Sequence, residues 1–268
     1  MNIVVTGSNG FIAKNLCVHL REAQHEVFEI NRGTDTADVL SYLQTSDFVF
    51  HLAGINRPVN SSEFETGNVD LTKYIVDVLT AADRGTPLVL TSSTQVESGN
   101  DYGTSKLDAE KIVQSYSSIT GAEIYIYRLP NVFGKWCRPN YNSFIATFCN
   151  NVVRGADNSI HDPDAAVRLV YIDVVCASMI KLLEDEVIPG FQEIPVEFKT
   201  TVGEVSNIVL SFKTTRSTLI TERVGLGLER ALYATYLSYI SPEAFSYGIP
   251  SYTDERGVFC EMLKTKDS

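Results

Sequence analysis

At 268 residues the chain has room for one large domain or two small ones, on a prior of about 150 residues per domain. Hydrophobic residues make up 44% and charged residues 21%, near the averages of globular proteins, which excludes a disordered or fibrous chain. With 22 Lys and Arg against 33 Asp and Glu the net charge is −11, the wrong sign for a general binder of nucleic acid or of an acidic membrane surface; an anionic ligand has to meet local cations.

The sequence contains no run of about 18 apolar residues and begins in a strand pattern rather than a basic leader with an apolar signal core, so a cytoplasmic protein without a membrane span is expected. The cysteines, Cys17, Cys137, Cys149, Cys176 and Cys260, are odd in number and widely spaced, which predicts reduced thiols. The histidines, His19, His25, His51 and His161, show no HxH or HExxH spacing, and no metal is expected.

In chain order, Asn2 to Thr6 reads as an apolar strand, followed by a Gly-containing turn and a helix over Phe11 to Glu22 with Ile12, Leu16 and Leu20 on one face. Strands follow at Glu26 to Asn31, Phe48 to Ala53, Pro87 to Thr91 and Glu123 to Arg128. Helices fall between them near Asp38 to Gln44, Val69 to Ala82 and Ser105 to Ser117. This alternation predicts an α/β fold, a doubly wound parallel sheet covered on both faces. After Gly134 the regularity fades into an aromatic and polar loop around Trp136 to Asn142, helices near Ser143 to Val153 and Asp173 to Leu183, and shorter pieces that suggest a smaller second lobe. The aromatic group Trp136, Tyr141 and Phe144 reads as core or interface before it reads as a base platform. At the end, Asp254 to Gly257 reads as a turn leading into a strand over Val258 to Leu263.

The turn after the first strand is Thr6-Gly7-Ser8-Asn9-Gly10-Phe11-Ile12-Ala13. Gly7 permits a tight turn, Gly10 lets the backbone approach a pyrophosphate, Ala13 allows close helix packing, and the helix N-terminus offers free N–H groups to the anion. An acid about 20 residues beyond such a turn would hydrogen-bond the adenosine ribose and repel a 2′-phosphate. Here the second strand ends in Asn31-Arg32, and an arginine pairs with that phosphate, which favours NADPH over NADH. Lys14 and Arg57 are further candidate cations.

Tyr102-Gly103-Thr104-Ser105-Lys106 places a phenol and an ammonium on the same face of a helix. The ammonium is expected to draw the phenol pKa toward neutrality, so that it can give a proton to a carbonyl oxygen as hydride arrives at carbon. The preceding strand ends in Thr91-Ser92-Ser93-Thr94, at the edge where open α/β sheets bind ligands. Ser93 is the preferred partner of the reacting carbonyl, with Ser92 and Thr94 open.

Thr6-Gly7-x-x-Gly10-x-x-Ala13, His51-Leu52-Ala53-Gly54, the Ser92-Ser93 strand end and Tyr102-x-x-x-Lys106 together resemble the extended short-chain dehydrogenase/reductases that act on nucleotide sugars, over about the first 240 residues. Arg128 to Gly134 is similar to that family's substrate-side segment, and Arg168 to Asp173 to the segment whose arginine meets the nucleotide pyrophosphate. Gly134 to Ser143 and Thr235 to Tyr239 resemble, more narrowly, the CapF/WbjC reductases of capsule and O-antigen synthesis. The resemblance implies a Rossmann-like fold and an NADPH-dependent reduction of the 4-keto group of a UDP-2-acetamido-2,6-dideoxy-hexulose. The product would be a UDP-N-acetyl-6-deoxy-talosamine sugar, on the route to UDP-N-acetyl-L-fucosamine.

It also implies roles. Ser93, Tyr102 and Lys106 would be catalytic. Gly7, Asn9, Gly10, Phe11, Ile12, Asn31, Arg32, Leu52, Ala53, Gly54 and Lys106 would hold the cofactor, and Asn131, Arg138 and Arg168 the sugar nucleotide. The domain reading is a dehydrogenase/reductase domain over 1–245, with its nucleotide-binding core over 1–134 and its substrate lobe over 135–245. Residues 246–268 would be a linker and the first strand of a metal-binding cupin domain that the chain stops short of. A homodimer is expected, with the helix over Val69 to Ala82 available for pairing, although its apolar face equally suits a core.

Two other readings on this scaffold are a nucleotide-sugar C4 epimerase or 4,6-dehydratase with tightly held NAD. Dehydration takes an Asp-Glu pair after the active-site hydroxyl, and here those positions are Thr94-Gln95, which take no proton at neutral pH. A non-catalytic NADP-binding sensor would have no need of Tyr102 and Lys106 at their spacing.

Overall fold

A computed structural model describes residues 1–184 and 186–265. They form two compact units, one of residues 1–130 with 172–184 and 186–197 and the other of residues 131–171 with 198–265. The division differs from the expected break near residue 134, because the chain leaves the sheet unit at Asn131 and returns to it for residues 172–197.

In the first unit β1 (Asn2–Thr6), α1 (Phe11–Glu22), β2 (Glu26–Ile30), α2 (Thr36–Thr45) and β3 (Phe48–His51) follow the expected alternation. A short α3 (Ser62–Phe64) runs into a π-helical turn over residues 65–70 and then α4 (Leu71–Ala82). β4 (Leu88–Ser93), α5 (Asp101–Thr120) and β5 (Ile124–Leu129) complete the first pass. The six-stranded sheet runs in the order β2-β1-β3-β4-β5-β8, where β8 is Gly190–Gln192, and every pairing is parallel.

The strands are apolar on both sides, as a sheet covered twice requires. Val4, Val49, Leu88, Leu90, Ile124 and Ile126 pack with Leu43 of α2, Ile75 and Leu79 of α4, and Val113 and Tyr116 of α5. α4 turns Ile75, Val76, Val78 and Leu79 inward, so the apolar residues available for a dimer serve the core instead. Tyr127 of β5 reaches the backbone of Ser178 at 3.2 Å, on the helix α7 (Ile172–Glu184) whose neighbour is α1.

The second unit contains β6 (Asn131–Phe133), α6 (Phe144–Val153), β7 (Ala166–Tyr171) and β9 (Phe198–Thr201). It continues with α8 (Val202–Ser211), α9 (Thr215–Thr218), β10 (Ile220–Thr221) and α10 (Gly227–Leu237). β6 pairs with β7 in parallel and β7 with β9 antiparallel. Phe133 and Leu169 of this small sheet pack with Phe148 and Cys149 of α6, Val205 and Val209 of α8, and Leu232 and Tyr236 of α10. Of the aromatic group read as core or interface, Phe144 packs in this core, edge-on to Phe148, while Trp136 and Tyr141 lie outside it, 53% and 39% exposed.

Near the end a four-residue helix α11 (Pro242–Phe245) precedes a hairpin of β11 (Ser251–Asp254) and β12 (Gly257–Cys260). The expected terminal strand therefore ends at Cys260 rather than Leu263, and its partner precedes it; Ser-Tyr-Thr-Asp is too polar to have read as a strand. Residues 266–268 of the proposed extra segment lie outside the described residues. Among the described residues no helix is long and apolar enough to cross a membrane.

Candidate active site

The strand order reverses between β1 and β3, both neighbours of one another, and the turns leaving their carboxyl ends meet there. Gly7 has φ +68°, and a Cβ placed on it would stand 2.7 Å from the Cα of Ala53 and 2.8 Å from its nitrogen. Only glycine fits. Gly10 caps α1 with no side-chain partner for the free N–H groups, and no acid stands in the first turn. That bare helix N-terminus, reached by a turn without side chains at Gly7 and Gly10, suits a pyrophosphate. Ser8, also in the turn, is buried and donates its N–H to the Ile30 carbonyl at 3.2 Å. Asn31 ties the end of β2 to the same turn through Ser8 Oγ at 3.4 Å and accepts from Gly33 N–H at 2.9 Å. Arg32 stands exposed beside it on the turn closed by Thr34 N–H and the Asn31 carbonyl at 3.1 Å.

β4 ends at Ser93, whose hydroxyl caps the following 3-10 turn through Gln95 N–H at 3.1 Å. Asn100 caps α5 by accepting from Gly103 N–H at 2.7 Å, which sets Tyr102 in the first turn and Lys106 in the second. The Ser93 side chain lies close enough to the Tyr102 phenol to favour its ionised form. Ser92 instead donates to Glu110, and Thr94 opens the 3-10 turn, so of the three candidate hydroxyls the structure brings Ser93 to the phenol.

The expected lowering of the Tyr102 pKa is not what the structure shows. Burial is the largest effect and pushes the phenol up, because a low-dielectric setting disfavours phenolate; the nearby Ser93 hydroxyl opposes it. Lys106 is 5% exposed, and burial draws its ammonium down to about 8 while the Glu110 carboxylate acts the other way. At neutral pH the site thus holds a protonated phenol and a charged lysine. Phe64 of α3 covers the Tyr102 ring at a centroid distance of 5.8 Å.

A buried hydrogen-bonded chain fixes the floor beside Lys106. Ala53 N–H donates to Thr6 Oγ1 at 3.2 Å, and Thr6 Oγ1 lies 2.7 Å from His51 Nδ1. His51 Nε2 lies 2.9 Å from Thr72 Oγ1, which donates to the Asn68 carbonyl at 2.5 Å. Thr72 spends its hydroxyl proton on Asn68 and so accepts from His51 Nε2–H, while Thr6 Oγ1 keeps a proton it can give to Nδ1, an arrangement that suits a neutral imidazole protonated on Nε2. The Asn68 side chain binds both backbone groups of Ile55 at 2.7 and 3.0 Å and Ser105 Oγ at 2.9 Å. Burial and the Lys106 charge depress His51 to about 3 from 6.5. Unfolded imidazole accepts a proton that the buried ring refuses, so this contribution to stability is complete above pH 6.5 and is lost as pH falls toward 3. Denaturant titrations should show stability declining below that pH, by at most about 1.4 kcal/mol per pH unit from this group, with a shallower decline in His51→Asn.

In the second unit, Asn131 Nδ2 donates to the Arg168 carbonyl at 3.3 Å, and Arg168 pairs in register with Lys199. The two predicted substrate residues on β6 and β7 are therefore neighbours. Arg138 is on the loop before α6, its guanidinium 5.5 Å from the Tyr141 ring centroid. Among the described residues no group of three or more His, Cys, Asp and Glu could hold a metal.

Residues 3–191 match the NAD dependent epimerase/dehydratase family. The chain belongs to this family. Over its whole length it is 43% identical to a UDP-2-acetamido-2,6-beta-L-arabino-hexul-4-ose reductase of Pseudomonas aeruginosa, of which it spans 73%. The crystal structure of the capsular polysaccharide assembling protein CapF from Staphylococcus aureus is 39% identical and superposes with a TM-score of 0.89, covering 99% of this chain and 73% of that one. UDP-glucuronic acid 4-epimerase of Bacillus cereus, at 18% identity and a TM-score of 0.73 over 92% of this chain and 100% of that one, shares the fold. As in other family members, the sheet and the turns at its carboxyl edge imply a nicotinamide cofactor.

Sequence reasoning missed Glu110 and the Asn68 network, and read Arg128 only as the start of a substrate-side segment. Glu110 had a signal, since it follows Lys106 at the same four-residue spacing that joins Lys106 to Tyr102.

Proposed function

We propose that this protein is a nucleotide-sugar 4-ketoreductase that uses NADPH to reduce a UDP-2-acetamido-2,6-dideoxy-hexulose to a UDP-N-acetyl-6-deoxy-talosamine sugar. The observation that carries the reading is a protonated Tyr102 phenol beside Ser93 at the end of β4, with buried Lys106 one turn on, in a chain alike along its whole length to a 4-reductase.

The nicotinamide, when bound, supplies the hydride. Gly7 and Gly10 admit the pyrophosphate backbone-first, with Asn9, Phe11 and Ile12 forming the rest of the turn and Leu52, Ala53 and Gly54 the facing one. Ser93 Oγ orients the ketone oxygen and Tyr102 Oη gives it a proton as negative charge grows there. Burial that keeps the phenol protonated serves this direction of reaction, since an acid must begin with its proton. Lys106 holds the nicotinamide ribose. Asn131, Arg138 and Arg168 take the sugar nucleotide. Gln95, at a position where a dehydratase needs an acid, is bonded to Asn100 at 3.3 Å and offers no proton.

Arg32 selects the phosphorylated cofactor. Arg32→Ala should weaken NADPH binding by about tenfold or more and leave NADH nearly unchanged, as read by fluorescence titration with both; equal losses would refute the assignment. The function is tested by following NADPH absorbance with and without the UDP-4-keto sugar. Consumption that requires the sugar supports it, and binding without consumption would favour a sensor.

The relatives are longer than this chain, and we propose that residues 246–268 begin a further domain after a dehydrogenase/reductase domain over 1–245. The exposed Tyr252, Val258 and Phe259 of the β11–β12 hairpin support this. A homodimer is the proposed assembly, to be read by light scattering.

A further inference from the structure

Among the described residues Glu110 is the only buried carboxylate, with 1% of its surface exposed. Its Oε1 accepts from Arg128 Nε at 3.0 Å and its Oε2 from Arg128 Nη2 at 2.7 Å, a forked pairing from β5, and Oε1 also accepts from the Ser92 hydroxyl of β4. Arg128 is covered in turn by the Phe191 ring, 4.7 Å from its guanidinium carbon, and faces Glu97 at 3.8 Å. Removing such a pair from water is costly, and apolar residues of similar volume often replace it without loss of stability. The fold alone gives no reason for a charge here.

Its position does. Glu110 lies one helical turn beyond Lys106 on the same face of α5. The groups around Lys106 are Tyr102 and Glu110 on its own helix, His51 of β3, Gly54 of the turn after β3 and Asn68 of the π-helical turn. A Cβ on Gly54 would stand 3.4 Å from Lys106 Nζ and 3.2 Å from Asn68 Oδ1. The phenol is protonated and the imidazole neutral, which leaves Glu110 as the negative charge acting on the ammonium.

We propose that Glu110, clamped by Arg128 and Ser92, is a positioning residue of the reduction: it holds the buried Lys106 side chain in its charged form and fixes it toward the cofactor. The clamp matters because a carboxylate free to swing or to take up a proton would release the lysine. Even with Glu110 in place burial brings Lys106 down to about 8, close to working pH, so loss of the counter-charge would lower it further and neutralise it there.

The proposal rests on the ketoreductase reading, and its test includes a measurement independent of turnover. The pH dependence of kcat and that of NADPH affinity are measured on the full chain for wild type, Glu110→Gln and Glu110→Asp. An opposite charge within about 4–6 Å moves a pKa by about 1–3 units. Glu110→Gln should therefore shift the alkaline limb of both profiles downward by about one unit or more, lowering activity at about pH 8 by about tenfold relative to its own value at about pH 6. Glu110→Asp, which keeps the charge, should stay near wild type. A folded Glu110→Gln with both limbs unmoved and only a lower Tm would overturn the proposal and leave a structural ion pair. Should that variant not fold, the double variant E110Q/R128M removes the pair as a unit; a downward shift supports the proposal and an unmoved limb overturns it. If wild type binds NADPH and does not reduce the sugar, the ketoreductase reading falls, while the NADPH-affinity limb still decides for or against Glu110.

Discussion

Tyr102→Phe is expected to lower kcat for ketone reduction by about 10²–10⁴-fold, the usual worth of a positioned general acid, while NADPH affinity changes by less than about threefold. The substitution removes one oxygen from a half-buried ring that packs on Phe64 and leaves the ring itself in place. The proposed cofactor contacts lie on other parts of the sheet edge, around Gly7, Gly10 and Ala53. Ser93 keeps its bond to Gln95 N–H, so the end of β4 stays formed. Steady-state kinetics with the UDP-4-keto sugar, beside a fluorescence titration with NADPH, separate the two effects. A Phe variant of near-normal kcat would remove Tyr102 from the chemistry. A parallel collapse of cofactor affinity would show a binding role instead.

Gly103→Ala should be nearly as damaging although residue 103 carries no side chain and touches no reactant. A Cβ there would stand 2.1 Å from the Gln95 carbonyl oxygen and 2.9 Å from its carbon. These are backbone atoms of the 3-10 turn after β4, and they cannot move without moving Ser93, whose hydroxyl caps that same turn. The first turn of α5 must back away, carrying Tyr102 off Ser93. Overpacking of this kind costs about 1–3 kcal/mol, which lowers Tm by several degrees. The loss of kcat should exceed what that loss of folded protein explains, reaching about 10²-fold at a temperature where the variant is fully folded, because small misplacements of a reacting group are amplified. A variant with wild-type kcat would show that the Tyr102–Ser93 alignment tolerates displacement.

The parts of this site that lie within one short segment were readable in the sequence. Gly7 and Gly10 between an apolar strand and an amphipathic helix, and Tyr102 with Lys106 one turn apart, are local patterns whose geometry follows from the period of the element carrying them. What stayed hidden depends on distant chain. Glu110 four residues after Lys106 looks like one half of a solvated surface pair, and its burial follows from Arg128 of β5 and Ser92 of β4 arriving on either side. The Tyr102 pKa went the wrong way for the same reason: charge spacing along a helix is visible in sequence, and desolvation by Phe64 and the sheet edge is not. The π-helical turn over residues 65–70 breaks the period of 3.6 that would have announced it, and it is this turn that buries Asn68 against Ile55. β8 is three residues long and opens on Gly190, so only its pairing with β5 shows that residues 172–197 return to the sheet.

The measurement that bears most directly on the account is the fate of deuterium from NADPH labelled at its transferable position, incubated with the UDP-4-keto-6-deoxy amino sugar. A ketoreductase with Tyr102 as its acid should give one equivalent of oxidised cofactor per sugar reduced, with a single deuterium at C4 of the product. An altered sugar with no net oxidation of cofactor would mean that hydride is borrowed and returned, as in an epimerase, and would contradict the assignment.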